Sequence, residues 1–176
     1  MAKSILQPLT FLSIAVFTFL ICWLLGVTVS ENTLSVNGTS LIMKAMCISF
    51  LIHGVLFIPS YLFQTEKFYD LTGSVTYVTT IGYVVYEAYQ QTGGLDIRTL
   101  VIAACIMIWT LRLGSFLFWR VLKDGEDKRF RSILPSFTQL LMTWALSAAW
   151  VFIQSLSALV AITALARVEF GVVGYI

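Results

Sequence analysis

Long apolar runs separated by short polar connectors dominate the chain. A membrane-spanning helix needs about 20 mostly apolar residues, and five runs approach this length, at residues 9–29, 41–63, 74–89, 100–119 and 137–164. A backbone in lipid must satisfy its own hydrogen bonds, and no stretch alternates like a strand of a membrane barrel. The pattern therefore predicts one all-α domain over residues 1–176, a bundle of about five transmembrane helices. The third span is the weakest, because it is short and rich in Thr, Gly and Tyr.

Composition supports a membrane protein and excludes some other classes. The chain is 59% hydrophobic and 11% charged, against about 45–50% and 25% in soluble domains. We therefore expect a multi-pass integral membrane protein in contact with the lipid bilayer, in a membrane that the sequence does not specify. A net charge of +2 gives no basic field for nucleic acid. The three cysteines match no metal-site spacing and are interpreted as apolar fillers.

The distribution of Lys and Arg predicts an orientation. The N-terminus and the second and fourth connectors hold most of the cations: Lys3, Lys67, Arg120, Lys123, Lys128, Arg129 and Arg131. The opposite side has only Arg98 and Arg167. The positive-inside rule then puts the N-terminus on the cytoplasmic side, or on the matrix or stromal side in an organelle.

Arg112 lies inside the fourth apolar run, where an ionisable residue costs about 2.5–3.5 kcal/mol. It is about seven residues, or roughly 10 Å, from the charged boundary of that run. One interpretation is that the side chain reaches the headgroups or pairs with a carboxylate. The other is that it binds an anion inside the bundle, such as a cofactor phosphate.

Two further places in the apolar part carry polar candidates. His53, the only histidine, either makes a structural hydrogen bond to Ser49, one turn earlier, or polarises a ligand carbonyl. Asp70 follows Tyr69 just before the third span. It is either part of an ordinary helix cap and aromatic belt or the ion-pair partner of a basic residue, Arg112 or Arg129.

The stretch "KDGEDKRFR", residues 123–131, is the densest polar segment. Mixed charge of this kind is usual in a solvated loop. Its balance of acids and bases, and its position beside the span that holds Arg112, favour a folded salt-bridge network instead.

The segment "WTLRLGSFLFWRVLKDGEDKRF" resembles the signature of a polytopic membrane family of unassigned function, DUF1295. This family is related to the steroid 5-alpha-reductases and, more distantly, to the isoprenylcysteine methyltransferases. The matching positions are Trp109, Arg112, Arg120, Gly125, Glu126, Asp127 and Arg129. The segment "EKFYDLTGS" is similar to the family's segment that carries an aspartate before the third span, here Asp70. In the fifth span, "WALSAAWVF" has the family's two tryptophans, Trp144 and Trp150, and Ser147 replaces the glutamine that is usual between them.

The resemblance implies an ancestral NADPH-dependent reductase of a lipophilic, enone-like substrate. Charged residues at the ends of the spans would then bind the cofactor: Arg112, Arg120, Glu126, Asp127 and Arg129. Asp70, Tyr69 and His53 would bind substrate or form ion pairs, and no residue is assigned to catalysis.

Relatives continue through about two further spans with an Arg-His-Pro-Asn-Tyr motif that this sequence lacks, so the chain alone is expected not to be catalytic. Three hypotheses follow. In the first, the chain is a reductase-family protein whose missing part is supplied by another chain or was lost by truncation. In the second, it is a structural or accessory subunit of a larger membrane complex. In the third, it is a small lipid-binding or transport protein. The first two predict partner membrane subunits that cover the fifth span, whose small residues suit helix packing.

Overall fold

The computed structural model describes residues 2–165, with side chains from Leu6 onward. Lys3 and Arg167, which contributed to the predicted orientation, have side chains outside this part. Within it the helices are α1 Ala2–Val29, α2 Leu41–Leu62, α3 Tyr69–Thr92, α4 Ile97–Asp124 and α5 Phe137–Thr163. A two-stranded hairpin, β1 Ser35–Val36 and β2 Thr39–Ser40, joins α1 to α2, and a short 3₁₀ helix spans Lys128–Arg131.

Each predicted span coincides with one of the five helices, so the all-helical fold is confirmed. Among the described residues, α1, α2, α4 and α5 are long and apolar enough to cross a membrane, and α3 is not one of these candidates. The bundle is therefore a multi-pass integral membrane protein with four candidate spans. Many apolar side chains of α1 and α4 face outward, which suits contact with lipid.

α3 packs into the bundle by one face, although that face is rich in threonine. Thr72, Thr76 and Thr80 follow one another at one-turn spacing on its buried face. Each hydroxyl donates to the carbonyl oxygen four residues earlier, at 2.7–2.8 Å. Because these hydroxyls are hydrogen-bonded within the helix, α3 can pack against α2, α4 and α5 without burying these hydroxyl groups unpaired.

α5 forms the middle of the bundle and packs against α1, α2 and α3. Its Phe152 and Leu159 are buried with Ile42, Met46 and Ile81 in one apolar cluster. A second cluster, Phe57, Phe130, Leu140 and Trp144, lies at the opposite end from the hairpin. We call this end the loop end, because the loop between α4 and α5 folds over it.

α4 is attached to the bundle mainly through α3, and Gly114 makes this possible. A Cβ atom at Gly114 would lie only 2.7 Å from Cβ of Ser74, which is closer than two non-bonded carbon atoms can approach. The missing side chain therefore lets the two helices approach, as small residues do at membrane helix interfaces. α4 makes few contacts with α5, and a groove separates the two helices.

Replacing Gly114 by leucine is expected to push α4 away from α3 and to lower the stability by about 1–3 kcal/mol. The measurement is thermal or denaturant unfolding in mild detergent. Gly54→Leu is the matched control, since nothing lies within 4 Å of a Cβ atom added at Gly54. Equal stability of the two variants would contradict the close contact.

Candidate functional site

The groove between α3, α4 and α5 has a volume of about 510 Å³. The residues that line it are Tyr69, Asp70, Gly73, Ser74 and Tyr77 from α3, Trp109, Thr110, Leu113 and Leu117 from α4, and Leu146, Ser147, Trp150, Val151 and Gln154 from α5. Trp150 is 69% exposed at its edge. The groove is thus an open, mostly apolar slot along membrane-spanning helices, with a few polar groups along its length.

Tyr69 and Asp70 close the groove at the loop end. The Tyr69 hydroxyl donates to the carbonyl oxygen of Thr143 at 3.1 Å. Its ring packs edge-on against Phe130 and Trp144, with centroids 4.9 and 5.2 Å apart. Asp70 is half-buried; burial raises the pKa of its carboxyl group, and the nearby guanidinium groups of Arg129 and then Arg120 oppose this shift. The groove therefore ends at a fixed phenol beside a carboxyl group.

His53 lies behind the groove and reaches it only through Ser147. The imidazole is 1% exposed, and its Nδ1 is 2.9 Å from the carbonyl oxygen of Ser49. A carbonyl only accepts, so Nδ1 carries the proton and Nε2 accepts from the Ser147 hydroxyl at 3.1 Å. The predicted hydrogen bond to Ser49 is confirmed. His53 is not among the groove residues, so the geometry does not favour its polarising a ligand there.

A second polar level lies farther along the groove. The Tyr77 hydroxyl donates to Oε1 of Gln154, and Tyr77 packs edge-on against Trp109 at 5.3 Å. The hydroxyl of Thr110 is buried and has no hydrogen-bond partner among the described residues. Ser147 and Gln154 are seven residues apart on α5, or about 10 Å along the helix, so the groove offers polar groups at two depths.

Sequence reasoning did not identify Gln154 or Thr110 as site residues, or Ser147 as the partner of His53. One signal was available for Gln154: two polar residues at seven-residue spacing in an apolar helix lie on one face. No local signal existed for Ser147 and His53, because 94 residues separate them in the chain.

The loop that joins α4 to α5, residues 125–136, is a folded ion-pair network, here called the arginine loop. Nε of Arg129 donates to both carboxylate oxygens of Asp127, at 3.0 and 2.9 Å. Nε of Arg131 donates to Glu126 at 3.1 Å. The predicted salt-bridge network is thereby confirmed for this loop.

The arginine loop is also attached to the helices. Glu66 is 8% exposed, and its carboxylate accepts from the backbone N–H of Asp127 at 2.9 Å. Phe130 is 3% exposed and packs in the cluster at the loop end. Hydrogen bonds from Arg129 hold the pKa of Asp127 below its usual value, and those from Arg131 do the same for Glu126.

A polar cavity of about 740 Å³ lies between the end of α4 and the arginine loop. Among its residues, Arg120 and Arg129 are already paired with carboxylates. The side chain of Lys128 forms no salt bridge within the described part of the chain. Four of the predicted cofactor-binding residues, Arg120, Glu126, Asp127 and Arg129, therefore lie together around this cavity.

Arg112 is not part of this cluster or of the groove. Asp70 pairs with Arg120, at 3.4 Å, so the structure does not form the predicted pair of Asp70 with Arg112. The physical reason is helix geometry: Arg112 is about 200° around α4 from Gly114, the residue that contacts α3. Its side chain is exposed and has no hydrogen-bond or ion-pair partner among the described residues. Within the described part of the chain Arg112 therefore lines neither the groove nor the polar cavity, and its binding of an anion stays a prediction.

The fold and these sites define a multi-pass helical membrane protein with a groove along its spans and a folded charged loop at one end. The family model "Protein of unknown function (DUF1295)" matches residues 56–176, more than half of the chain, and the chain belongs to this family. No curated protein and no solved structure matches it. The groove and the arginine loop both lie in the matched part.

Acidification is expected to open the arginine loop. The folded-state pKa of Asp127 is lowered from 3.8, so its contribution to stability is present above that value and is lost as the pH falls through the folded pKa. Amide hydrogen-exchange protection of residues 125–134 should therefore fall below about pH 3.8. In Asp127→Asn this part of the pH dependence should vanish, and an unchanged profile would contradict the assignment.

The partner of Asp70 can be tested by double-mutant cycles in detergent. The half-exposed pair of Asp70 with Arg120 should give a coupling of about 0.5–1 kcal/mol. The same cycle with Arg112 should give none beyond about 0.3 kcal/mol. Coupling to Arg112 and none to Arg120 would show that α4 is rotated relative to this structure.

Proposed function

We propose that the groove binds a lipophilic molecule from the bilayer and that the chain is part of an NADPH-dependent reductase acting on it. The observation that carries this proposal is the alignment of two features on the same helices. An apolar groove ends at Tyr69 and Asp70, and Asp70 in turn pairs with Arg120 at the edge of a charged cavity. A lipophilic substrate and a phosphate-bearing cofactor could thus meet at the loop end.

The groove would orient its ligand by the polar end. Leucine and tryptophan side chains offer an apolar wall, and Tyr69 and Ser147 offer oxygens at the closed end. Ser147 donates its proton to His53 and also lies within hydrogen-bond reach of the Tyr69 hydroxyl. A hydroxyl oxygen has two lone pairs, so Ser147 can still accept from a ligand. His53 is thus a positioning residue for Ser147.

NADPH, when bound, supplies a hydride. Arg120, Lys128 and Arg129 are the cations around the cavity that would hold its phosphates. The arginine side chains are 42% and 66% exposed, so each could exchange its carboxylate for a phosphate, since a guanidinium group binds both anions through its N–H groups. Asp127 and Glu126 would act indirectly, by keeping the arginine loop folded when no phosphate is present.

Filling the groove tests ligand binding. Leu146→Trp should weaken binding of a lipophilic enone at least about tenfold, because an indole would occupy the space that the ligand needs. Leu51→Trp is the matched control, since Leu51 is 65% exposed on α2 and does not border the groove. Equal dissociation constants for the two variants, measured by fluorescence in detergent micelles, would exclude the groove as the binding site.

The reductase part has a separate test. NADPH consumption in native membranes should depend on the added enone and should fall in Lys128→Gln. Lys123→Gln, a charge loss of the same kind outside the cavity, should have no effect. Enone binding in the groove without NADPH consumption would exclude the reductase function and support lipid binding alone.

A structural or accessory subunit is the second candidate, favoured by the outward-facing Arg112. The discriminating measurement is the intact mass of the species purified from its native membrane in mild detergent, with its companion chains identified. A multi-subunit complex without nicotinamide would favour this candidate. Bound NADPH would favour the reductase.

A further inference from the structure

Arg112 interrupts an otherwise apolar stripe on the outer face of α4. Ile108, Phe116 and Trp119 lie on the same face and are 68%, 63% and 71% exposed. Together with Arg112, these residues recur at intervals of four, four and three, as side chains on one side of a helix do. The stripe faces away from the bundle, since the buried Gly114 lies on the opposite side of α4.

Arg112 is also deep. It lies 12 residues before Asp124, the last residue of α4, and 15 after Ile97, the first. At about 1.5 Å per residue it is within roughly 3 Å of the middle of the helix. Arg120, where the charged end of α4 begins, is about 12 Å away along the axis. A guanidinium group at this depth costs about 2.5–3.5 kcal/mol in lipid, a cost that pairing with a carboxylate would offset.

No carboxylate in the described part of the chain forms an ion pair with Arg112. Asp70 is engaged by Arg120, and Glu126 and Asp127 are paired within the arginine loop. None of these carboxylates is at the level of Arg112 on α4. A carboxylate that neutralises Arg112 would therefore have to come from another element.

We propose that the stripe of Ile108, Arg112, Phe116 and Trp119 is the docking surface for a transmembrane helix of a partner protein, which places an aspartate or glutamate opposite Arg112. Charge complementarity selects this occupant. A second copy of the stripe would bring a second arginine and no acid, and a lipid phosphate lies at the headgroup level rather than at the middle of the helix. The inference rests on the membrane-spanning position of α4 and is independent of the proposed reductase.

Photo-cross-linking in the native membrane tests the surface. A photo-reactive phenylalanine at position 108 or 116 should yield a defined product with a membrane-spanning segment of another protein, and that segment should contain a carboxylate. The same probe at Leu24, which is 63% exposed on α1, is the control and should not yield it. Arg112→Leu should lower the yield about tenfold or more, whereas Arg112→Lys should retain most of it.

A charge swap completes the test. Arg112→Glu should abolish the product, and changing the partner's carboxylate to arginine should restore it. Products with lipid only, or with a second copy of this chain, would overturn the proposal. So would a partner without a carboxylate in the linked segment, or an undiminished yield in Arg112→Leu.

Discussion

The close contact between Gly114 of α4 and Ser74 of α3 is the constraint on which the two sites depend. It fixes the rotation of α4, since the face that carries Gly114 must point at α3. That rotation turns Trp109 and Thr110 toward the groove and brings Arg120 within 3.4 Å of Asp70. It also turns Arg112 outward. In a bilayer, where lipid is as apolar as the side chains, such close packing replaces the hydrophobic effect as the force that holds helices together.

The charges at the loop end are arranged as pairs rather than as a basic patch. Each of Arg120, Arg129 and Arg131 has one carboxylate partner. A single ion pair at a partly exposed position contributes little stability. The arginine loop is also attached to the helices by the buried Phe130 and by the hydrogen bond that the backbone N–H of Asp127 donates to Glu66. An anion that bound here would have to compete with carboxylates already in place. Binding of a phosphate would then be an exchange, and its affinity would depend on how weakly the exposed arginines hold their carboxylates.

Much of the fold could be predicted from the sequence, because the length of an apolar run is a direct consequence of bilayer thickness. The folded state of the charged loop was also predictable from its balance of acids and bases. The ion-pair partner of Asp70 was not predictable. Counting residues gives the height of an arginine along the axis of α4, but the direction in which it points depends on the rotation of α4, which the contact at Gly114 determines. The link from His53 to Ser147 was equally out of reach, since it depends on how α2 and α5 cross.

The outward arginine and the groove are neighbours on α4. Arg112 and Trp109 are three residues apart, or about 60° around the helix, so a partner helix seated on Arg112 would lie beside the edge of the groove formed by Trp109. The exposed Trp150 stands at the facing edge on α5. A lipophilic ligand entering from the bilayer would then pass between this chain and its partner. On this geometry the reductase and the accessory subunit are compatible, because a partner that neutralises Arg112 would also shape the entrance to the groove.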